Sequence, residues 1–408
     1  MKRYVVSYGL QILGLGISYL SVILVSRSYS LESLGVFFIV LNSTTIAASI
    51  GNLGLPAIML RTCSNSKLES IATNILNVLR KYIWSVLAVV SLTTSVLFYL
   101  QRQDSITGGN AVLINLAAFC FALSLILNES VRVIRGVVFY GLFGTVVRQF
   151  ITLVMLVVGL EIVFALSFAF IFNFLVISLV VMKSLRSSDY LLEEGQKKTF
   201  NAKSEGVDEV KLLTILTLAE FTIRSLDILL VGYFGGNSEA GAYGTVSRYC
   251  MLINFSLITV TAVLGPRISR LATSNFANVE ELVSIKRTVL YLRFGATIIA
   301  VVLFLCLPYY SWLMDIEMSK LTNYFYVVLV NYWLTVMLGP TAFVLIQSSK
   351  IKELLAFNSV AILLSLLITW FVYPVASLLT IPIVIGITFN LVKIFSLLYI
   401  RKEFKVWI

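Results

Sequence analysis

Leu31-Glu32-Ser33-Leu34-Gly35-Val36-Phe37 reads as a short polar turn, then Leu, Gly, a small apolar residue and an aromatic. It returns about 206 residues later as Asn237-Ser238-Glu239-Ala240-Gly241-Ala242-Tyr243. The echo continues: Leu53-Gly54-Leu55-Pro56 followed by Arg61 is answered by Leu264-Gly265-Pro266 followed by Arg267 and Arg270. Two copies of one helical unit make a cleft between them. In a membrane, such a cleft is where transporters bind substrate.

The composition around these copies fixes the class. The chain is 59% hydrophobic and only 12% charged, and apolar runs of about 20 residues recur along it, which marks a polytopic membrane protein. Backbone polar groups must be satisfied inside lipid, so such runs are helices; uninterrupted stretches exclude the alternation of a barrel. The first run reaches Leu24 without a small-residue cleavage site and reads as the first helix, not a signal peptide. Apolar windows predict twelve spans at about 4–25, 34–60, 82–100, 110–128, 138–160, 162–182, 212–234, 241–266, 290–310, 321–347, 354–373 and 376–400. Pro56, Pro266 and Pro340 are the expected kinks.

Basic residues set the orientation. With the N-terminus inside, 24 of the 31 Lys and Arg fall in cytoplasmic segments, and only Arg27, Arg102 and Lys320 in outer ones. Both termini are then cytoplasmic. Six helices per half put both copies in the same orientation. The expected fold is therefore an all-α polytopic membrane protein with about twelve transmembrane helices in two parallel-repeat six-helix lobes around a central cavity. The N-terminal lobe is 1–183, a cytoplasmic linker 184–211, and the C-terminal lobe 212–408. Residues 277–293 are expected to form a helix lying on the inner surface. The net charge of +11 points to an inner face against anionic membrane lipid, not to nucleic acid.

Absences narrow the chemistry. The chain has no His, which removes imidazole catalysis, His metal ligation and His proton relays. Its four cysteines, Cys63, Cys120, Cys250 and Cys306, are scattered singly and read as apolar fillers. No GxGxxG or Walker A sequence occurs. No catalytic residue, metal or cofactor is expected. The chain reads as a transporter rather than an enzyme, driven by an ion gradient, H+ or Na+, or by the substrate's own gradient.

Charges inside the spans are expensive and so mark candidate sites. Glu220, Arg224 and Asp227 lie at i, i+4 and i+7 on one helical stripe. Asp227 and Arg248 fall at similar depths of neighbouring spans and form a plausible pair; such pairs either couple an ion or only hold helices together. Arg148 has no acid within two turns, and its planar fork suits phosphate oxygens or a partner on another helix. Arg27 is interfacial or guards the outer mouth. Lys393, near the inner end of its span, is expected to snorkel. Gln11, Asn42, Asn254, Asn331 and Asn390, with Tyr8, Tyr249 and Tyr332, either glue helices or line a wet cavity suited to sugar hydroxyls.

The phrases SRSYSLESLGVFFIV, SLDILLVGYFGGNSEAGAYGTVSRYC, VLGPRISRLA and GPTAFVLIQSSKIKELL resemble the polysaccharide-biosynthesis branch of the multidrug/oligosaccharidyl-lipid/polysaccharide exporter superfamily, in particular Wzx-type O-antigen flippases. The resemblance spans essentially the whole chain. It implies two six-helix lobes around a cationic cavity in the bacterial inner membrane. It also implies alternating access that carries an undecaprenyl-diphosphate-linked oligosaccharide from the cytoplasmic to the periplasmic leaflet, alongside other polysaccharide-assembly membrane proteins. The family's Asp maps onto Asp227 and its Arg before the first outer turn onto Arg27.

On this reading Arg148, Arg224, Arg248, Arg27, Asn42 and Gln11 bind substrate, while Asp227 and Glu220 couple an ion or form structural pairs. A cation-coupled small-molecule or multidrug antiporter of the same superfamily is the alternative. A membrane glycosyltransferase or polymerase is the alternative of another class.

Overall fold

The computed structural model describes residues 2–52, 54–56, 59, 68–101, 108–186, 206–254, 257, 264, 268, 271, 279–348, 350–373 and 377–406. The chain forms two compact units, Met1–Thr214 and Ile215–Ile408.

The first unit holds α1 (Lys2–Ser28), α2 (Leu31–Gly51), α3 (Leu68–Gln101) and α4 (Gly108–Arg135). After Gly136 (φ +90) come α5 (Val137–Gly141), a π-helical turn (Leu142–Val146), α6 (Val147–Val157) and α7 (Ile162–Arg186). α2 is apolar all round, and its residues are buried almost throughout, as for a helix enclosed by others. Its start is set by Ser30, whose hydroxyl accepts from the Ser33 N–H at 3.2 Å and satisfies one donor of the first turn. Only Tyr29 and Ser30 separate α1 from α2, and the Tyr29 hydroxyl reaches the Leu160 carbonyl at 3.3 Å beyond α6. The core between α4 and α7 is filled by Phe121 against Phe170, with ring centroids 4.6 Å apart.

The second unit takes most of α8 (Gly206–Cys250), then a 3₁₀ turn (Met251–Ile253), α9 (Val279–Met314), α10 (Met318–Met337), α11 (Thr341–Gln347), α12 (Ile351–Val372) and α13 (Thr380–Phe404). Gly236 (φ +81) breaks α8 into two arms, a conformation that costs glycine nothing. The carbonyl of Phe234, left without a helical partner there, accepts from the Tyr373 hydroxyl at 3.0 Å.

Among the described residues eight helices are long and apolar enough to cross a membrane, and the bent pair α10 and α11 makes a ninth. This is a multi-pass, all-helical membrane architecture. Exposed Leu290, Phe294, Leu305, Trp370 and Phe371 on α9 and α12 suit contact with lipid rather than water.

Each expected span meets a helix or helical arm, but several bounds move. α3 starts at Leu68 rather than near 82, α4 runs on to Arg135, and regular α2 stops at Gly51 before a turn at Gly54 (φ +71). The inner-surface helix expected over 277–293 is corrected: Val279–Met314 is one continuous helix. Hydropathy registers where apolar side chains stop, whereas the hydrogen-bonded backbone continues through a charged turn. The bend at Pro340 is present, at 40°. Pro56 follows the α2 break, Pro266 lies outside the described residues, and Pro308 sits inside α9.

Candidate functional site

Residues sixteen apart on a straight helix would be about 24 Å apart. Asp227 and Tyr243, on the two arms of α8, are hydrogen-bonded instead: the Tyr243 hydroxyl donates to Asp227 Oδ2 at 2.6 Å. The Gly236 break therefore folds one arm back on the other. The second carboxylate oxygen, Oδ1, accepts from the Ile228 N–H at 2.8 Å. Both residues are buried.

A layer of tyrosines braces this hairpin. Tyr243 meets Tyr324 edge to face at 5.4 Å, and the Tyr324 hydroxyl donates to Glu239 Oε2 at 2.5 Å. Tyr249 stacks on Tyr310 at 3.9 Å; their hydroxyls donate to the carbonyls of Leu303 and Thr245. Ser247 lies 3.3 Å from the Tyr332 hydroxyl. The result is an aromatic wall with few polar atoms, two of its hydroxyls bonded to the carboxyls of Asp227 and Glu239.

The expected Asp227–Arg248 pair is thus corrected. Equal depth placed two side chains at one level, but Tyr243, on the same arm as Arg248, holds the carboxylate; Arg248 is half-buried. Glu220 and Arg224 have helical backbones in the first arm, and their side chains lie outside the described residues. The same holds for the Gln11 side chain in α1.

In the first unit Arg148 is half-buried on α6, with its guanidinium over Phe121 at 4.7 Å and Phe170 at 5.2 Å. Its sequence neighbours offered no acid; the fold sets aromatic faces from α4 and α7 against it. Asn42 on α2 spends its amide on its own helix, donating to the Phe38 carbonyl at 2.8 Å. Arg27 stands exposed in the last turn of α1.

A further cluster closes the end of α4. Arg132 Nη1 lies 3.5 Å from Glu129 and its guanidinium 5.4 Å over Tyr140, while Asn128 Nδ2 donates to the Tyr140 carbonyl at 3.2 Å. Arg135 donates to Ser184 at 2.8 Å, tying α4 to α7. Lys393 does not snorkel: it is buried and bonds to backbone carbonyls of α10 and the break after it.

Among the described residues, no three His, Cys, Asp or Glu side chains come together as a metal site would require. Cys120 and Cys250 are buried and Cys306 is exposed; Cys63 lies outside the described residues.

No protein-family model matches the chain, and no curated protein matches it in sequence. Solved structures do. An inward-facing multidrug resistance MATE family transporter of the MOP superfamily superposes with a TM-score of 0.69 at 16% identity, over 98% of this chain and 94% of that one.

The fold is that of the MATE transporters.

The MATE multidrug transporter DinF-BH, solved as a complex, gives a TM-score of 0.59 at 16% identity, over 98% and 96% of the two chains. A MOP superfamily transporter from Pyrococcus furiosus gives 0.63 at 15%, over 99% and 96%; its reversed pocket polarity suggests a different function for that protein. On this MATE-type fold the buried charged side chains include Asp227, held by Tyr243, and Lys393, while Arg148 is half-buried against two aromatic rings.

Proposed function

We propose that the chain is a secondary transporter that exports an amphiphilic small molecule in exchange for H+ or Na+ by alternating access. Asp227 carries this reading. A carboxyl buried in a membrane helix hairpin is costly and is retained where it binds and releases a proton or cation. Its two oxygens accept from Tyr243 and Ile228, so protonation adds a donor and weakens the acceptor at one of these bonds. An ion that loads Asp227 thereby acts on the contact between the α8 arms, which is the coupling an antiporter needs. Likeness to multidrug transporters over nearly the whole chain supports the same reading.

A second reading, a flippase for polyprenyl-diphosphate-linked oligosaccharide, is favoured by Arg148. A guanidinium set within a span by two phenylalanine rings is preoriented to meet phosphate oxygens in two-point fashion. Arg224, Arg248 and Arg27 would add positive charge, and Gln11 and Asn42 would face sugar hydroxyls. The reversed pocket polarity of the Pyrococcus protein supports the idea that this fold accommodates substrates of either charge. On either reading the basic segments face the cytoplasm, both termini are inside, and the membrane is the bacterial inner membrane. On the flippase reading, other polysaccharide-assembly membrane proteins are its partners.

One experiment separates the readings. Purified protein in liposomes is given an inward or outward H+ or Na+ gradient, and two probes are followed in parallel: a cationic dye and a fluorescent polyprenyl-diphosphate oligosaccharide. Gradient-driven dye movement with no flipping supports the antiporter; flipping without dye movement supports the flippase. Movement of neither probe in folded protein rejects both.

A further inference from the structure

α10 stops at Met337, and the chain turns through Leu338, Gly339 (φ +78) and Pro340 before α11 resumes at a 40° bend. Every backbone carbonyl at such a break needs a donor, because lipid supplies none. The local backbone provides three. Leu338 N–H bonds Leu334, Gly339 N–H bonds Val336, and Val344 N–H bonds Pro340. The alternate carbonyls are taken by side chains: Lys393 Nζ on α13 donates to Thr335 at 3.1 Å and Gly339 at 3.5 Å, and Arg293 Nε on α9 donates to Met337 at 2.8 Å.

The surroundings of the ammonium are built and buried. Lys393 is 8% exposed. Thr335 also gives its hydroxyl to Asn390 Oδ1 at 3.0 Å, and Asn390 lies one turn before Lys393 on α13. Its amide in turn donates to the Gly386 and Asn331 carbonyls at 2.9 and 3.4 Å. Carbonyl oxygens at the carboxyl end of a broken helix carry partial negative charge, and those of Thr335 and Gly339 meet the ammonium. Broken helix ends of this kind coordinate Na+ in membrane proteins. Backbone carbonyls suit monovalent ions, whereas divalent ions require carboxylates or retained water.

We propose that Lys393 is a tethered cation, its ammonium filling a carbonyl-lined position at the broken end of α10 that takes a free Na+ or K+ ion when the side chain is removed. The wild-type chain then carries its own positive charge at this position and needs no dissolved ion there. This is independent of which substrate is moved, because the readout below is stability rather than transport.

The test uses the full chain in detergent, as wild type, Lys393→Ala and Lys393→Asn. Lys393→Asn keeps an oxygen at the site. Thermal unfolding midpoints are measured in NaCl, KCl and choline chloride at matched ionic strength. The wild type is expected to unfold at the same temperature in KCl and choline chloride; any gain it shows in NaCl, from an ion at Asp227, is the baseline the variants must exceed. Each variant is expected to unfold several degrees lower in choline, and to recover at least half of the loss in Na+ or K+ along a saturating curve, as a bound ligand requires. The proposal is overturned if the variants are depressed equally in all three salts, or if wild type gains as much from Na+ or K+ as they do. Failure to recover either variant folded from cells grown in Na+- and K+-containing medium also overturns it.

Discussion

Tyr243 donates a 2.6 Å hydrogen bond to Asp227 from the opposite arm of α8. The bond joins the one buried acid that the described side chains show in this hairpin to the residue that repeats the aromatic of the Leu31–Phe37 motif.

Removing the phenol hydroxyl leaves that carboxylate, among the described residues, with backbone N–H donors, that of Ile228 at 2.8 Å foremost. Tyr243→Phe is expected to cost about 1–3 kcal/mol, the desolvation of a buried polar group that loses its partner. Thermal unfolding in detergent reads the loss. Asp227→Asn/Tyr243→Phe should be less destabilised than the sum of the two single changes, since the two residues act as one unit. Strict additivity would mean that the bond carries no coupling between the arms.

α10 and α13 approach closely where Gly386 faces Asn331. A methyl group at Gly386 would run into the Asn331 side chain, whose amide is fixed on the Pro382 carbonyl at 3.1 Å. Gly386→Ala is expected to destabilise by about 1–3 kcal/mol, the usual cost of overpacking. Gly386→Ala/Asn331→Ala should regain part of it. A Gly386→Ala protein as stable as wild type would show that the helices separate freely at this point.

Arg148 rests on Phe121 and Phe170, so Arg148→Ala is expected to lose about 0.5–2 kcal/mol of cation–π stabilisation. Arg148→Lys keeps a charge over the rings and should keep normal membrane abundance. If the flippase reading holds, Arg148→Lys loses most lipid-linked oligosaccharide transport, because an ammonium cannot reproduce two-point phosphate binding. Wild-type flipping by Arg148→Ala removes that reading.

The twelve apolar stretches were legible because span length is a local property of sequence, and Pro340 announced its own bend. What sequence could not supply are contacts decided by tertiary placement. Lys393 looked close enough to its helix end to snorkel; the carbonyls that hold it belong to α10 and the break after it, 58 and 54 residues earlier in the chain. Depth reckoning matched Asp227 with Arg248, yet helical position also sets direction, and Tyr243, on the same arm as Arg248, points at the acid. The α3 start at Leu68 and the unbroken α9 escaped for a simpler reason: a charged, solvated turn of helix leaves no mark in hydropathy.

Gradient-driven transport in liposomes tests directly whether the Asp227 carboxyl couples an ion to substrate movement. Wild type and Asp227→Asn are reconstituted at equal density with substrate at equal concentration on both sides, and a H+ or Na+ gradient is imposed. The wild type is predicted to drive net movement of substrate against its own gradient, whereas Asp227→Asn still exchanges labelled for unlabelled substrate but accumulates none. Net accumulation by Asp227→Asn equal to wild type would mean that the Asp227 carboxyl carries no coupling.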